Sequence, residues 1–163
     1  MKTNKLLLVN AIYNIISSLL VIFYYGNALF FSKTELSDKV FIFYLFILIA
    51  FLFLQFTNWA LLFLKDHISI FIKYNIVFAL LQIIHLKIFG LIFDFSAGIE
   101  IMPYIVIHDG FNFGLKYDTW NMVFTALYKS DATGFFLGIS LIPILVFISY
   151  RRIYKNFSKV NSH

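Results

Sequence analysis

The stretch DFSAGIEIMPYIVIHDGFNFGLKYDTWNMVFTALYKSDAT, residues 94–133, is the only long part of this chain that is unsuited to a lipid bilayer. It holds five of the eight acidic residues, and the sequence on either side of it is apolar over long runs. The pattern predicts a water-exposed segment that is carried by membrane helices. We expect specific recognition, if the chain has any, to lie there.

The composition is typical of a polytopic membrane protein. Hydrophobic residues make up 61% of the 163 positions and charged residues 13%, and the mean hydropathy is +0.87; soluble domains lie well below this. Because the chain has no cysteine, disulfides, thiolate metal sites and dithiol redox chemistry are excluded. The net charge of +5 is spread along the edges of the apolar runs, so nucleic acid is not a predicted partner.

Four apolar runs are each long enough to cross a bilayer, which takes about 17 to 25 residues. They extend over Leu6–Phe31, Val40–Leu64, Ile68–Phe93 and Gly134–Tyr150. The sequence therefore predicts an all-α transmembrane fold: a four-helix membrane bundle in one integral membrane domain, with a small cap of residues 94–133 and a tail of residues 151–163. The spacing of Gly134 and Gly138 predicts close packing of the fourth helix against a neighbour or a second copy.

The distribution of basic residues predicts the orientation in the membrane, because positive charge is retained on the cytoplasmic side. Lys2 and Lys5 precede the first run, and Arg151 and Arg152 follow the last one. The cap is acidic by comparison. We expect a multi-pass protein of the cell membrane, embedded in the lipid bilayer, with both termini in the cytoplasm and the cap outside.

Neutral polar residues fall on one face of each of the first three predicted helices. Such residues either glue helices together by hydrogen bonds or line a cavity or pathway for a ligand. Both interpretations stay open. The candidate ligand or pathway residues are Asn10, Asn14, Ser17, Tyr44, Gln55, Asn58, Asn75, Gln82 and His85.

His85 is the one histidine within a predicted span. A membrane histidine can bind haem or carry protons, but a bis-imidazole haem site needs a second histidine at a similar depth. The other three histidines lie in loops or in the tail, and no carboxylate lies deep within a predicted span. We therefore expect His85 to be a hydrogen-bonded structural residue, and we predict no cofactor and no metal.

The cap has the sequence pattern of a β-hairpin. Every second residue over 99–107 is apolar, apolar and polar residues alternate over 111–118, and Asp109-Gly110 between them is typical of a two-residue turn. This register makes His108 face Phe111 and places Val106 and Phe113 on one face. Residues 120–129 then favour a short helix, with a third strand as the alternative. Aromatic residues of the cap are the candidate partner-docking residues: Tyr104, Phe111, Phe113, Tyr117 and Trp120.

The sequence contains no zinc-protease motif, no nucleophile-elbow motif and no glycine-rich phosphate loop. The predicted function is that of a non-enzymatic structural or interaction subunit, whose cap docks a membrane protein partner or a second copy in a homo-oligomer. The alternative is a small pore, a membrane-disrupting effector or an uptake component with a neutral polar pathway between its helices. A membrane-embedded enzyme is the third interpretation.

Overall fold

The computed structural model describes residues 5–31, 37–63, 68–108, 110–128 and 134–160. Contacts divide the chain into two units: a helical unit, Met1–Asn75 with Arg152–His163, and a sheet unit, Ile76–Arg151. Asp109 of the predicted turn and residues 129–133 of the cap lie outside the described residues. In chain order the elements are α1 (Lys5–Phe30), α2 (Asp38–Phe63), α3 (Ile68–Leu81), β1 (Ile84–Ile88), β2 (Leu91–Ile107), β3 (Phe111–Tyr128), β4 (Phe135–Ile139) and α4 (Leu141–Val160).

The predicted all-α four-helix bundle is wrong. The described residues form four helices and a four-stranded antiparallel sheet, and of these helices α1 and α2 are long and apolar enough to cross a membrane. The third predicted span divides into α3, which has 14 residues, then β1 and the start of β2. The fourth divides into β4 and α4. Hydropathy summed over a long window cannot separate one spanning helix from a buried helix joined to a buried strand.

In the helical unit, α1 buries one face. Leu7, Ala11 and Ile15 follow one another at four-residue spacing and are at most 8% exposed, as expected for a helix that packs along one stripe. Large apolar side chains also point outward: Phe23 is 74% exposed and Phe46 on α2 is 64% exposed. A surface of this kind suits contact with lipid better than contact with water. The location in the cell membrane and the cytoplasmic termini stay predictions.

The sheet begins with a tight hairpin between β1 and β2. Ile88 pairs with Leu91, so Phe89 and Gly90 form a two-residue turn, and their φ angles of 47° and 84° are both positive, as in a type I′ turn. A phenylalanine in this region of φ is uncommon and costs backbone strain. Its side chain is 87% exposed, so burial of the ring does not offset that cost.

The second strand reverses its direction. Its first residues pair antiparallel with β1, β1 pairs antiparallel with β4, and β4 pairs antiparallel with the last residues of β2. The two ends of β2 must therefore run in opposite directions. The register with β3 shifts between Gly98 and Glu100, and the φ of Gly98 is 106°, which suits glycine. The ribbon of β2 and β3 folds over on itself at this bulge.

The predicted hairpin of the cap exists, but its register is wrong by one residue. Ile107 pairs with Phe111, and Ile105 pairs with Phe113, so the loop has three residues and not two. A one-residue change moves each side chain to the other face; Ile105 takes the position opposite Phe113 that was predicted for Val106. The short helix predicted for residues 120–129 is also wrong, because β3 continues to Tyr128.

Candidate functional site

Neutral polar residues of the helical unit bond to one another. The Asn14 side-chain amide donates to the Asn75 side-chain oxygen at 2.9 Å, and the Asn75 amide donates to the Thr57 hydroxyl at 3.3 Å. These residues come from α1, α3 and α2, and each is at most 8% exposed. The bonds fit the interpretation of these residues as contacts between helices.

The other polar residues predicted in this unit have contacts outside the Asn14, Asn75 and Thr57 set. Asn58 donates to the Leu54 carbonyl of its own helix at 2.8 Å, and Gln55 is hydrogen bonded to Ser18. The Tyr44 ring meets the Tyr25 ring edge to face at 5.0 Å. Two further members of the predicted set are also buried, Asn10 and Ser17. Within the described ranges, the Ser17 hydroxyl has no hydrogen-bond partner.

Gln82 and His85 belong to a different cluster, in the sheet unit. The cluster includes residues from β1, β2 and β3 and the residue that follows β4. We call this set the His85 network; it consists of the Gln82 main-chain carbonyl and the side chains of His85, Asp94, Glu100, Lys116, Asn121 and Ser140. It connects buried charged and polar groups from three strands, and we take it as the candidate site.

His85 stands at the centre of the network and is 1% exposed. Its Nδ1 lies 2.7 Å from Asp94 Oδ1, and its Nε2 lies 2.8 Å from Ser140 Oγ. The Gln82 carbonyl oxygen is 3.2 Å from the same Nε2. Because a carboxylate only accepts hydrogen bonds, the contact with Asp94 places a proton on Nδ1. His85 is therefore hydrogen bonded, as expected from the sequence, and its structural role stays a prediction.

Glu100 is a buried carboxylate whose charge is matched. It is 1% exposed, and its Oε2 accepts from Lys116 Nζ at 2.6 Å and from the Asn121 amide at 2.5 Å. Its Oε1 lies 3.3 Å from Ser140 Oγ and 3.5 Å from His85 Nε2. A carboxylate removed from water requires such partners, since an unpaired charge is costly to bury. Glu100 and Lys116 thus form a pair with no net charge.

Ser140 joins β4 to α4. The strand ends at Ile139 and the helix begins at Leu141, and the Ser140 N–H donates to the Ile83 carbonyl at 2.8 Å, outside the helix. The serine is 1% exposed. Its hydroxyl therefore lies at the positive end of a 20-residue helix and points to His85.

Neither Gly134 nor Gly138 lies in a helix. Gly134 precedes β4 with a φ of 92°, and Gly138 is in β4. A side chain at position 138 would collide with Met102. The predicted close packing required both glycines to lie in the fourth helix, but in the structure one precedes β4 and the other lies within it.

The aromatic residues that were predicted to dock a partner divide into two groups. Phe111, Phe113 and Tyr117 form one exposed row with Leu115, at 66% to 71% exposure. Tyr104 is half-buried, stacks on Phe136 at 5.6 Å between ring centroids and covers Gly114. The side chain of Trp120 is outside the described part of the structure.

The network contains five residues that sequence reasoning did not select: Asp94, Glu100, Lys116, Asn121 and Ser140. One signal was present for Asp94. If Phe89-Gly90 is taken as a two-residue turn, Ile88 faces Leu91 and the same register places His85 opposite Asp94. That signal was hidden because residues 84–93 were assigned to a membrane helix. The pairing of Ser140 with His85, 55 positions apart, has no comparable local signal.

The network has two chemical capacities. Its alternating charges can hold the strands together. Its Asp94 carboxylate, His85 imidazole and Ser140 hydroxyl also follow one another in the order in which a carboxylate orients a histidine and the histidine activates a serine nucleophile. Within the described residues, no group of three or more histidine, cysteine or acidic side chains is arranged to hold a metal ion.

A comparison of the chain with protein-family models, with curated proteins and with solved structures finds no match.

Proposed function

We propose that the protein is a membrane-anchored interaction subunit that docks a second copy of itself through the outer edge of β3. The observation that carries this proposal is the exposed apolar row at the start of β3. Phe111, Phe113, Leu115 and Tyr117 alternate along that strand and are 70%, 71%, 66% and 67% exposed. Two helices long and apolar enough to cross a bilayer supply the anchor.

The row lies on a strand that has an open edge. The strand order is β1-β4-β2-β3, so β3 is the last strand and its outer backbone groups have no strand partner within the described sheet. Such an edge is a template for pairing with another chain. An apolar row beside it adds side-chain burial to the backbone hydrogen bonds that pairing would form.

The sequence of this edge is self-complementary. If two copies pair antiparallel with Gly114 on the twofold axis, Phe111 lies opposite Tyr117, and Phe113 lies opposite Leu115. Each apolar residue then has an apolar partner, which stabilises antiparallel strands. In the same register Lys116 lies opposite Asn112, so that like charges do not face each other. A closed twofold contact of this kind is the commonest arrangement in homo-oligomers.

Disulfide formation between two differently tagged chains tests the proposal. The chain has no cysteine, so Phe113→Cys in one chain and Leu115→Cys in the other introduce the only thiols. Co-expressed in the membrane and mildly oxidised, they should form a mixed dimer. The matched control pairs Leu145→Cys with Phe113→Cys; Leu145 on α4 is 62% exposed and should remain unlinked.

Native mass spectrometry of the wild-type protein supplies the second measurement. A dimer that becomes monomeric in Phe113→Lys and stays dimeric in Phe113→Tyr supports the proposal. A wild-type protein that is monomeric in detergent and in lipid nanodiscs, together with absent cross-linking, would refute it.

A further inference from the structure

We propose that Ser140 is a nucleophile that takes up an acyl group from an uncharged, apolar ester, with His85 as its general base. Asp94 is the positioning residue that orients His85. This activity goes beyond the proposed docking function and rests on different residues, all within the sheet unit.

The distances within this set are those of an activated serine. Ser140 Oγ lies 2.8 Å from His85 Nε2, and Asp94 Oδ1 lies 2.7 Å from His85 Nδ1. A nucleophile and its base act together when they are within about 2.6 to 3.2 Å of each other. The contact with Asp94 holds a proton on Nδ1, so in the neutral ring Nε2 is the nitrogen that can accept the serine proton.

Two further acceptors lie near Nε2. The Gln82 carbonyl lies 3.2 Å from Nε2 and the Glu100 carboxylate lies 3.5 Å from it. Either can accept a hydrogen bond from the N–H that forms when His85 takes the serine proton. Lys116 compensates the charge of Glu100, which leaves Asp94 as the carboxylate that balances the imidazolium.

The start of α4 supplies the site for the developing negative charge. The first N–H groups of a helix have no acceptor within that helix, and they attract anions. Leu141 and Ile142 are the first two residues of α4, and they follow the nucleophile directly. An oxyanion formed on Ser140 would lie beside these donors.

The reaction balances with water as the second reactant. Ser140 Oγ forms a bond to the acyl carbon while its proton passes to His85 Nε2. The bond from that carbon to the alkoxy oxygen then breaks, and the leaving alcohol takes the proton from Nε2. Water attacks the acyl-serine, gives one proton to Nε2 and displaces Ser140, which recovers that proton. The net change converts an ester and water into a carboxylic acid and an alcohol.

The surroundings of Ser140 determine the substrate class. Gly138 precedes Ser140 by two positions and therefore lies on the same face of the chain. The side chain of Met102, which is 3% exposed, fills the space over Gly138. Methionine is flexible and apolar and can give way to an apolar chain. A charged substrate would have to lose its hydration there, so an uncharged ester is favoured.

An alkyl fluorophosphonate is the probe for this reaction, because it forms a stable adduct with an activated serine. The full chain in detergent is treated with it, and the modified residue is mapped by mass spectrometry. Wild type should react at Ser140, and Ser140→Ala should not. His85→Gln should slow labelling by about 100-fold or more, the usual contribution of a general base, and Asp94→Asn should slow it as well. Ser96→Ala removes a buried serine outside the network, 6% exposed, and should leave the rate unchanged.

A thiol version keeps the test decisive if a network variant fails to fold. Ser140→Cys is the only thiol in its chain, and its alkylation by an uncharged maleimide should be faster than that of Ser96→Cys, because His85 promotes the thiolate. Adduct formation at Ser140 that depends on His85, or a faster thiol at position 140, supports the proposal. A folded wild-type protein without adduct at Ser140, or equal rates of the two thiols, overturns it.

Discussion

Replacing Lys116 by methionine should weaken the sheet unit, because it removes the cation from a buried carboxylate. Lys116 Nζ lies 2.6 Å from Glu100 Oε2, and the exposed fraction of the glutamate side chain is 1%. Loss of one partner from a buried ion pair costs about 3 to 5 kcal/mol. The bond from Asn121 at 2.5 Å remains, and the lysine is 38% exposed, so the lower end of that range is expected, about 3 kcal/mol.

The matched control removes both charges. In the double variant Glu100→Gln with Lys116→Met the uncompensated charge is absent, and the glutamine still bonds to neighbouring polar groups. Most of the lost stability should return, so the two substitutions should be strongly non-additive. Glu100→Gln alone should cost less than Lys116→Met alone, since it leaves a partly hydrated cation and not a buried anion.

Hydrogen exchange of the β2 and β3 amides, followed by mass spectrometry, measures the free energy of opening in this part of the chain. The lysine variant should lower that free energy and the double variant should restore it. A change below about 0.5 kcal/mol for the lysine variant, the size of an ordinary surface substitution, would refute the view that Glu100 is charged and buried.

Three further predictions concern other parts of the molecule. Asn75→Leu removes two hydrogen bonds to buried polar side chains and should lower the unfolding free energy by about 2 kcal/mol, measured by denaturant titration in detergent. The added methyl group of Gly138→Ala would meet Met102 and should destabilise the protein by about 1 to 3 kcal/mol. Met102→Ala in the same chain should relieve the clash. The control is Gly26→Ala, where a methyl group has nothing within 4 Å, and it should raise the melting temperature or leave it unchanged. Phe89→Gly should stabilise the turn by about 1 kcal/mol, because the φ of 47° is unstrained only for glycine, and an unchanged melting temperature would contradict that reasoning.

The parts of the fold that were predictable are those with local signals. The two long apolar stretches predicted the ends of α1 and α2 to within one or two residues, because the length needed to span a bilayer is a property of a single segment. The hairpin after Ile107 was predictable from its turn residues and alternation. Its register was not predictable. A two-residue and a three-residue loop differ by one position, and residues 99–108 are largely apolar on both faces, so the sequence does not favour either register.

The other parts depend on residues that are distant in sequence. The first half of β2 pairs with the end of β3, as in Phe95 with Phe124. Residues 91–93 were assigned to the third membrane helix and residues 120–129 to a short helix with a strand as the alternative, because an apolar run does not reveal whether a partner strand exists. Ser140 shows the same limitation. Its hydroxyl reaches His85 only because β4 pairs with β1, with Gly138 opposite His85, and the sequence does not indicate that pairing.

The bend of β2 and the His85 network require each other. Asp94 and Glu100 are six positions apart, which in a straight strand is about 20 Å. Their carboxylates nevertheless lie 2.7 Å and 3.5 Å from the two nitrogens of one imidazole ring. Only a strand that turns back on itself at Gly98 can present both carboxylates to His85. Lys116 pairs with Glu100 and His85 bonds to Asp94, so each acidic group has a partner of its own. The bulge at Gly98 is therefore the feature that assembles the candidate site.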